Sequence, residues 1–166
     1  MDKTEQILQA AKEGAKKYFD EQVSLLTKFS SIDCGTGDEE GNKKIVAIVE
    51  NLLNTIQGIQ IEKHYSKGFG QHIVANPDGK IILSAHMDTV FKKGDTAENP
   101  PHIEGDRFYG LGSADCKGGL LVSIYGVKIL QENGLLPNKE IVFIFNCDEE
   151  SGTPVAHPVF DLEIPG

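Results

Sequence analysis

With 166 residues, 39% hydrophobic content and a formal net charge of −9, the chain is long enough to bury one substantial core and gives no reason for a second domain. The negative balance disfavours nucleic acid and anionic membranes as partners, and no stretch approaches the roughly 20 apolar residues of a membrane span. Three cysteines, Cys34, Cys116 and Cys147, odd in number and without CxxC spacing, suggest neither a disulfide framework nor a zinc knuckle; with the charged first residues lacking the apolar core of a signal peptide, they predict a soluble cytoplasmic protein.

From about Thr4 to Phe29, apolar residues recur at three- and four-residue steps, predicting one amphipathic helix. A loop at Gly35-Thr36-Gly37-Asp38 leads into a second helix, from about Glu39 to Ile56, that ends near Gly58. The period then changes. Strands are predicted around Ile59 to Tyr65 and from His72 to Ala75, and the turn Asn76-Pro77-Asp78-Gly79 opens a third strand, Lys80 to Ala85. The polar stretch from His86 to Gly112 is too long, and too rich in Pro and Gly, to be packing structure alone. A helix beginning near Gly118 stops at Asn133-Gly134, and Ile141 to Phe145 reads as a buried central strand. Helices alternating with apolar strands predict an α/β sandwich whose active groups sit where strands end.

Three clusters occupy such places. His86-Met87-Asp88 ends the third strand: a neutral imidazole is a good zinc ligand if its other nitrogen is held, and an i, i+2 pair on extended backbone puts Asp88 on the side of His86. The same pair also fits a surface histidine beside a turn aspartate. Asp115 lies in Gly110-Leu111-Gly112-Ser113-Ala114-Asp115-Cys116-Lys117-Gly118-Gly119, where a flexible backbone lets a carboxylate approach a metal pair, although a plain helix cap is equally compatible. A dinucleotide loop fits poorly because the third glycine is missing, and a phosphate loop because Lys117 precedes Gly118. After the most apolar strand comes Cys147-Asp148-Glu149-Glu150. Adjacent carboxylates at the mouth of a buried strand call for a cation or a shared proton, unless they form a solvated turn. Cys116 and Cys147 read as small packing residues, and His64, His72 and His102 as ordinary strand or loop residues.

In order and spacing, HMDTV, GDRFYG, GLGSADCKGG and CDEESG resemble the zinc-dependent aminoacylase and carboxypeptidase superfamily of glutamate carboxypeptidase, acetylornithine deacetylase, succinyl-diaminopimelate desuccinylase and peptidase T. The resemblance implies a three-layer α/β sandwich with a mixed central sheet flanked by helices, truncated relative to the family's catalytic domain. It implies two zinc ions, with cobalt or manganese as substitutes: His86 and Glu150 each binding one, Asp115 bridging both, Asp88 fixing His86, and Glu149 as general base. The implied reaction is hydrolysis of a peptide or N-acyl amide bond next to a free carboxylate, the substrate being a peptide or N-acyl amino acid. Residues 1–153 would be the N-terminal part of that catalytic domain and 154–166 an atypical tail. The family's later acidic and histidine ligands and its lid and dimerisation domain would be absent. His157, Asp161 and Glu163 have ligand chemistry but do not match those later segments. A shortened sheet exposes an edge, so a homo-oligomer or a rearranged tail is expected to cover it. The alternative is a non-catalytic remnant of the fold acting as a binding or interaction module.

Overall fold

A computed structural model of the chain describes residues 2–137 and 139–156. The N-terminal stretch forms two helices in place of the single one predicted: α1 (Lys3–Lys17) and α2 (Phe19–Ser30). Helix α1 opens with a reciprocal cap, in which Asp2 accepts from the Glu5 N–H at 2.8 Å and Glu5 from the Asp2 N–H at 2.9 Å, satisfying donors that a helix start leaves orphaned. The break falls at Tyr18 (φ −102°, ψ 6°). Its ring lies 5.3 Å from that of Tyr125 and its hydroxyl donates to Glu132 at 2.6 Å. Anchoring to a distant helix, which local periodicity does not encode, overrides the helical stripe.

Helix α3 (Glu39–Leu53) is capped by Asp38, which accepts from the Gly41 N–H at 3.0 Å. It is followed by β1 (Ile61–Ser66), β2 (Gly70–Ala75) and β3 (Ile81–His86). The long polar segment carries a single turn of helix, α4 (Asp95–Glu98), and a small hairpin of β4 (His102–Glu104) and β5 (Arg107–Tyr109). A tight turn over Ser113–Lys117 runs directly into α5 (Gly118–Glu132), and β6 (Ile141–Asn146) completes the main sheet.

That sheet has the order β1-β2-β6-β3. Strands β1 and β2 are antiparallel, as are β2 and β6, whereas β3 runs parallel to β6. Strand β6 is paired on both sides and every residue of it is buried, so it reads as a continuous apolar run. Its side chains still alternate between faces. Phe143 and Phe145 join Ile73 and the apolar sides of α3 and α5 in the main core, while Val142 and Ile144 join Val74 and Ile82 in a second cluster. The fold is therefore α/β, a mixed sheet with flanking helices.

Two consequences of this topology matter for function. Because β3 and β6 are parallel, with His86 opposite Asn146, the His86-Met87-Asp88 segment and the Cys147-to-Glu150 segment leave the sheet side by side. Strand β3 is also an edge. The amides of Ile81 and Met87 donate to the carbonyls of Glu140 and Asn146, so the intervening Ile82 and Ser84 direct their backbone groups away from β6.

Candidate metal centre

The loop entering α3 forms one wall of the centre. The Thr36 N–H donates to the Thr89 carbonyl at 3.1 Å and the Thr89 N–H to that of Cys34 at 3.0 Å. The approach is so close that a Cβ at Gly35 would stand 2.2 Å from the Phe91 carbonyl oxygen, a contact only glycine permits.

His86 is the buried hub, with its side chain 7% exposed. Nδ1 lies 3.0 Å from the Asp88 backbone carbonyl, which fixes the ring and reserves Nε2 for the cleft. Nε2 is 2.9 Å from Asp115 Oδ1 and 3.8 Å from Glu149 Oε2. Burial works to lower the His86 pKa, but the hydrogen bonds and charges of Asp88, Cys116 and Asp115 outweigh it, and the imidazole is pushed up to about 12.

The Asp88 carboxylate, 3.4 Å from His86 Nδ1, is engaged chiefly elsewhere. It accepts from the Thr36 hydroxyl at 2.6 Å and from the Glu149 and Glu150 N–H groups, each at 3.2 Å. Burial favours its protonated form, yet the His86 ring, Thr36 and the Glu150 amide together hold its pKa below the usual carboxylate range. Asp88 thus ties the end of β3 to the acidic turn.

Asp115 and Glu149 reach the same point from the solvent side, with side chains 78% and 51% exposed. Asp115 leaves a turn that starts at Gly112 in the left-handed region (φ +70°). The pKa of Glu150 is raised by partial burial, with His86 opposing and Asp115, Asp88 and Glu149 adding like charge. Two groups of ligand atoms, His86/Asp115/Cys116 and His86/Glu149/Glu150, each lie within 4.8 Å of one another. Nitrogen, carboxylate and sulfur donors suit zinc and similar cations, and the crowding of carboxylates around one imidazole is the electrostatics that a divalent ion relieves.

All five residues singled out in the sequence are brought together. Four others acquire roles that local reading misses. Thr36 bonds Asp88 across 52 positions. Asp148, fully buried, accepts from the Val155 and Ala156 N–H groups at 2.7 and 3.0 Å. His72 is buried beside it, with Nδ1 3.9 Å from Asp148 Oδ1 and Sγ of Cys147 3.7 Å away; it belongs to the layer beneath the acidic turn and is more than an ordinary strand residue. Lys117, 2% exposed, donates to the carbonyls of Phe29, Leu111 and Ile32 at 3.0, 3.4 and 3.5 Å. By contrast, His64 lies on β1, and His102 stacks on Tyr109 with centroids 5.1 Å apart. His157, Asp161 and Glu163 lie outside the described residues. A cleft of about 470 Å³, bordered by Thr36, Thr89, Phe91 and Glu150, opens beside the centre.

The imidazole and the carboxylates thus gather where the parallel strands of an α/β sheet end, the place where such sheets carry their sites. Residues 82–161 match the model of peptidase family M20/M25/M40. The chain is 38% identical over 137 residues to carboxypeptidase G2 of Pseudomonas sp. (strain RS-16), an alignment covering 79% of this chain and 33% of the relative. It is 30% identical over 119 residues to acetylornithine deacetylase of Vibrio cholerae, covering 68% of this chain and 31% of the relative. The fold is shared with human carnosine dipeptidase 1, with TM-score 0.74, 19% identity and coverage of 93% of this chain and 37% of that one. The chain thus spans about a third of the length of these relatives.

Proposed function

We propose that the chain carries the metal-binding and general-base part of a dinuclear zinc hydrolase that cleaves a peptide or N-acyl amide bond next to a free carboxylate. In this reading residues 1–153 are the N-terminal part of the catalytic domain. His86 would hold one ion, Glu150 the other, and Asp115 would offer its carboxylate to both. The observation that carries the proposal is the convergence of β3, the Ser113–Lys117 turn and the turn after β6 on His86 Nε2, with Asp115 Oδ1 at 2.9 Å and Glu149 Oε2 at 3.8 Å.

When bound, a zinc pair neutralises the carboxylates and lowers the pKa of water from about 15.7 toward about 7. Glu149, its side chain 51% exposed, is open to take a proton at Oε2 and return it to the leaving amine. The Asp88 backbone carbonyl keeps the His86 ring oriented, and its carboxylate holds the backbone of Glu149 and Glu150 in place. The cleft beside Glu150 offers room for the substrate. The names of carboxypeptidase G2, acetylornithine deacetylase and carnosine dipeptidase support amide hydrolysis as the reaction class.

Metal analysis of the purified chain, combined with turnover of dipeptides and N-acyl amino acids, tests this. Zinc should be retained by the native chain and lost in Asp115→Ala. Glu149→Gln should keep the metal and lower kcat by about 10²–10⁴-fold. A folded native chain that holds no zinc and hydrolyses nothing overturns the enzymatic reading in favour of a non-catalytic module.

A further inference from the structure

The cleft of about 470 Å³ beside the centre has a wall, Val90 to Lys93, to which the reaction proposed above gives no task. The loop that carries this wall is pinned along its length. Gly35 passes hard against the Phe91 carbonyl. The Lys92 N–H donates to Asp95 at 2.8 Å, and Asp33 accepts from the Gly94 N–H at 2.8 Å and from the N–H and hydroxyl of Thr96 at 3.1 and 2.8 Å. Four ionisable side chains border the cleft, Asp38, Lys92, Lys93 and Glu150, and all but Lys92 are committed. Asp38 caps α3, Lys93 pairs with Glu40 at 3.2 Å, and Glu150 belongs to the proposed metal centre. Lys92 is exposed, and its ammonium has no hydrogen-bond or ion-pair partner among the described residues. We propose that Lys92 is a specificity-determining residue, selecting substrates that carry a second carboxylate in addition to the one next to the scissile bond.

The inference rests on the function proposed above and narrows its substrates. A carboxylate entering beside Asp38 and Glu150 meets like charge, in a chain whose formal net charge is −9, so an anionic substrate is repelled unless a cation receives it. Lys93 could receive it only by leaving Glu40, whereas Lys92 breaks no contact. Because the loop fixes the Lys92 backbone, only the four-carbon stem has to be ordered when the ion pair forms. An ammonium is a point charge with three donors and imposes little direction on its partner. The selection is therefore for charge: a neutral amide of the same shape keeps a hydrogen bond but loses the ion pair, and binds more weakly.

Matched substrates test this on the zinc-loaded chain. One pair is N-acetylglutamate and N-acetylglutamine, with the extra carboxylate on the leaving amine; the other is N-succinylalanine and N-butanoylalanine, with it on the acyl group. The native chain should prefer the acidic member of at least one pair by about five- to tenfold in kcat/KM at low salt, chiefly through KM, and added salt should shrink the preference as it screens an exposed ion pair. Lys92→Gln should erase the preference, Lys92→Arg should keep it, and Lys93→Gln should leave it unchanged. In Glu149→Gln, where turnover is slowed, the acidic member should also protect Lys92 from acetic anhydride, read by peptide mass mapping, while its neutral counterpart does not. Turnover without an acidic preference, or with one that survives Lys92→Gln, overturns the role of Lys92 and leaves the proposed hydrolase standing. No turnover of any of the four overturns the hydrolase reading and this inference with it.

Discussion

His86 illustrates how one side chain is prepared from two sides. Its Nδ1 is held by the Asp88 carbonyl and its Nε2 faces Asp115. With the imidazole pushed up to about 12 in the metal-free protein, the ring is protonated at neutral pH, and a cation must displace that proton to be ligated. Zinc uptake at His86 should therefore release a proton, and the apparent affinity should rise about tenfold per pH unit for each proton displaced. Calorimetry in two buffers of different ionisation enthalpy measures the release, and His86→Ala should abolish it. The sign for the metal-free fold is the reverse: a raised histidine pKa contributes stability that is complete below the ordinary value and is lost as pH rises toward about 12. The sequence placed His86 and Asp88 together because an i, i+2 pair on extended backbone shares one side. It could not show that the carbonyl of Asp88 meets the ring while its carboxylate serves Thr36 and two amides, since those partners lie 52, 61 and 62 positions away.

At the level of elements, strands were more legible than the N-terminal helix. Apolar runs bounded by the Asn76–Gly79 turn and by Gly134 identify β3, α5 and β6, because burial on both sides of β6 leaves a continuous apolar signature. The division between α1 and α2 leaves none, because it is imposed by Tyr18 reaching α5. Lys117 is a second contact of this kind, joining the end of α2 to the glycine-rich loop through three carbonyls. Replacing it with methionine keeps the volume and strands those acceptors, so Lys117→Met should lower stability by about 1–3 kcal/mol. Gly126, in α5, has nothing within 4 Å of where a Cβ would stand, and Gly126→Ala should raise stability by about 0.5–1 kcal/mol. Urea unfolding of the two variants checks both signs.

For the whole molecule, β3 stands at the edge of the four-stranded sheet and pairs with β6 alone, so the outward backbone groups of Ile82 and Ser84 face no further strand of that sheet. An edge of this kind is a template for strand pairing. The chain should self-associate with rising concentration in sedimentation velocity runs. Ser84→Pro removes only an outward N–H and leaves the ladder to β6 intact, so it should shift the distribution toward monomer without altering the circular dichroism. The mixed sheet itself follows from the sequence only as a class. Which strand lies at the edge depends on pairings between distant segments, and on that order depends the parallel exit that brings His86 beside Glu149.

The turn after β6 is clasped at both ends: Asp88 receives the amides of Glu149 and Glu150, and Asp148 those of Val155 and Ala156. Its shape is set by two buried carboxyl groups to which the proposal gives no part in ligation. An arriving ion would therefore meet a seat already formed, and the tempo of loading would follow how readily that ion sheds its hydration water, with little waiting on the polypeptide.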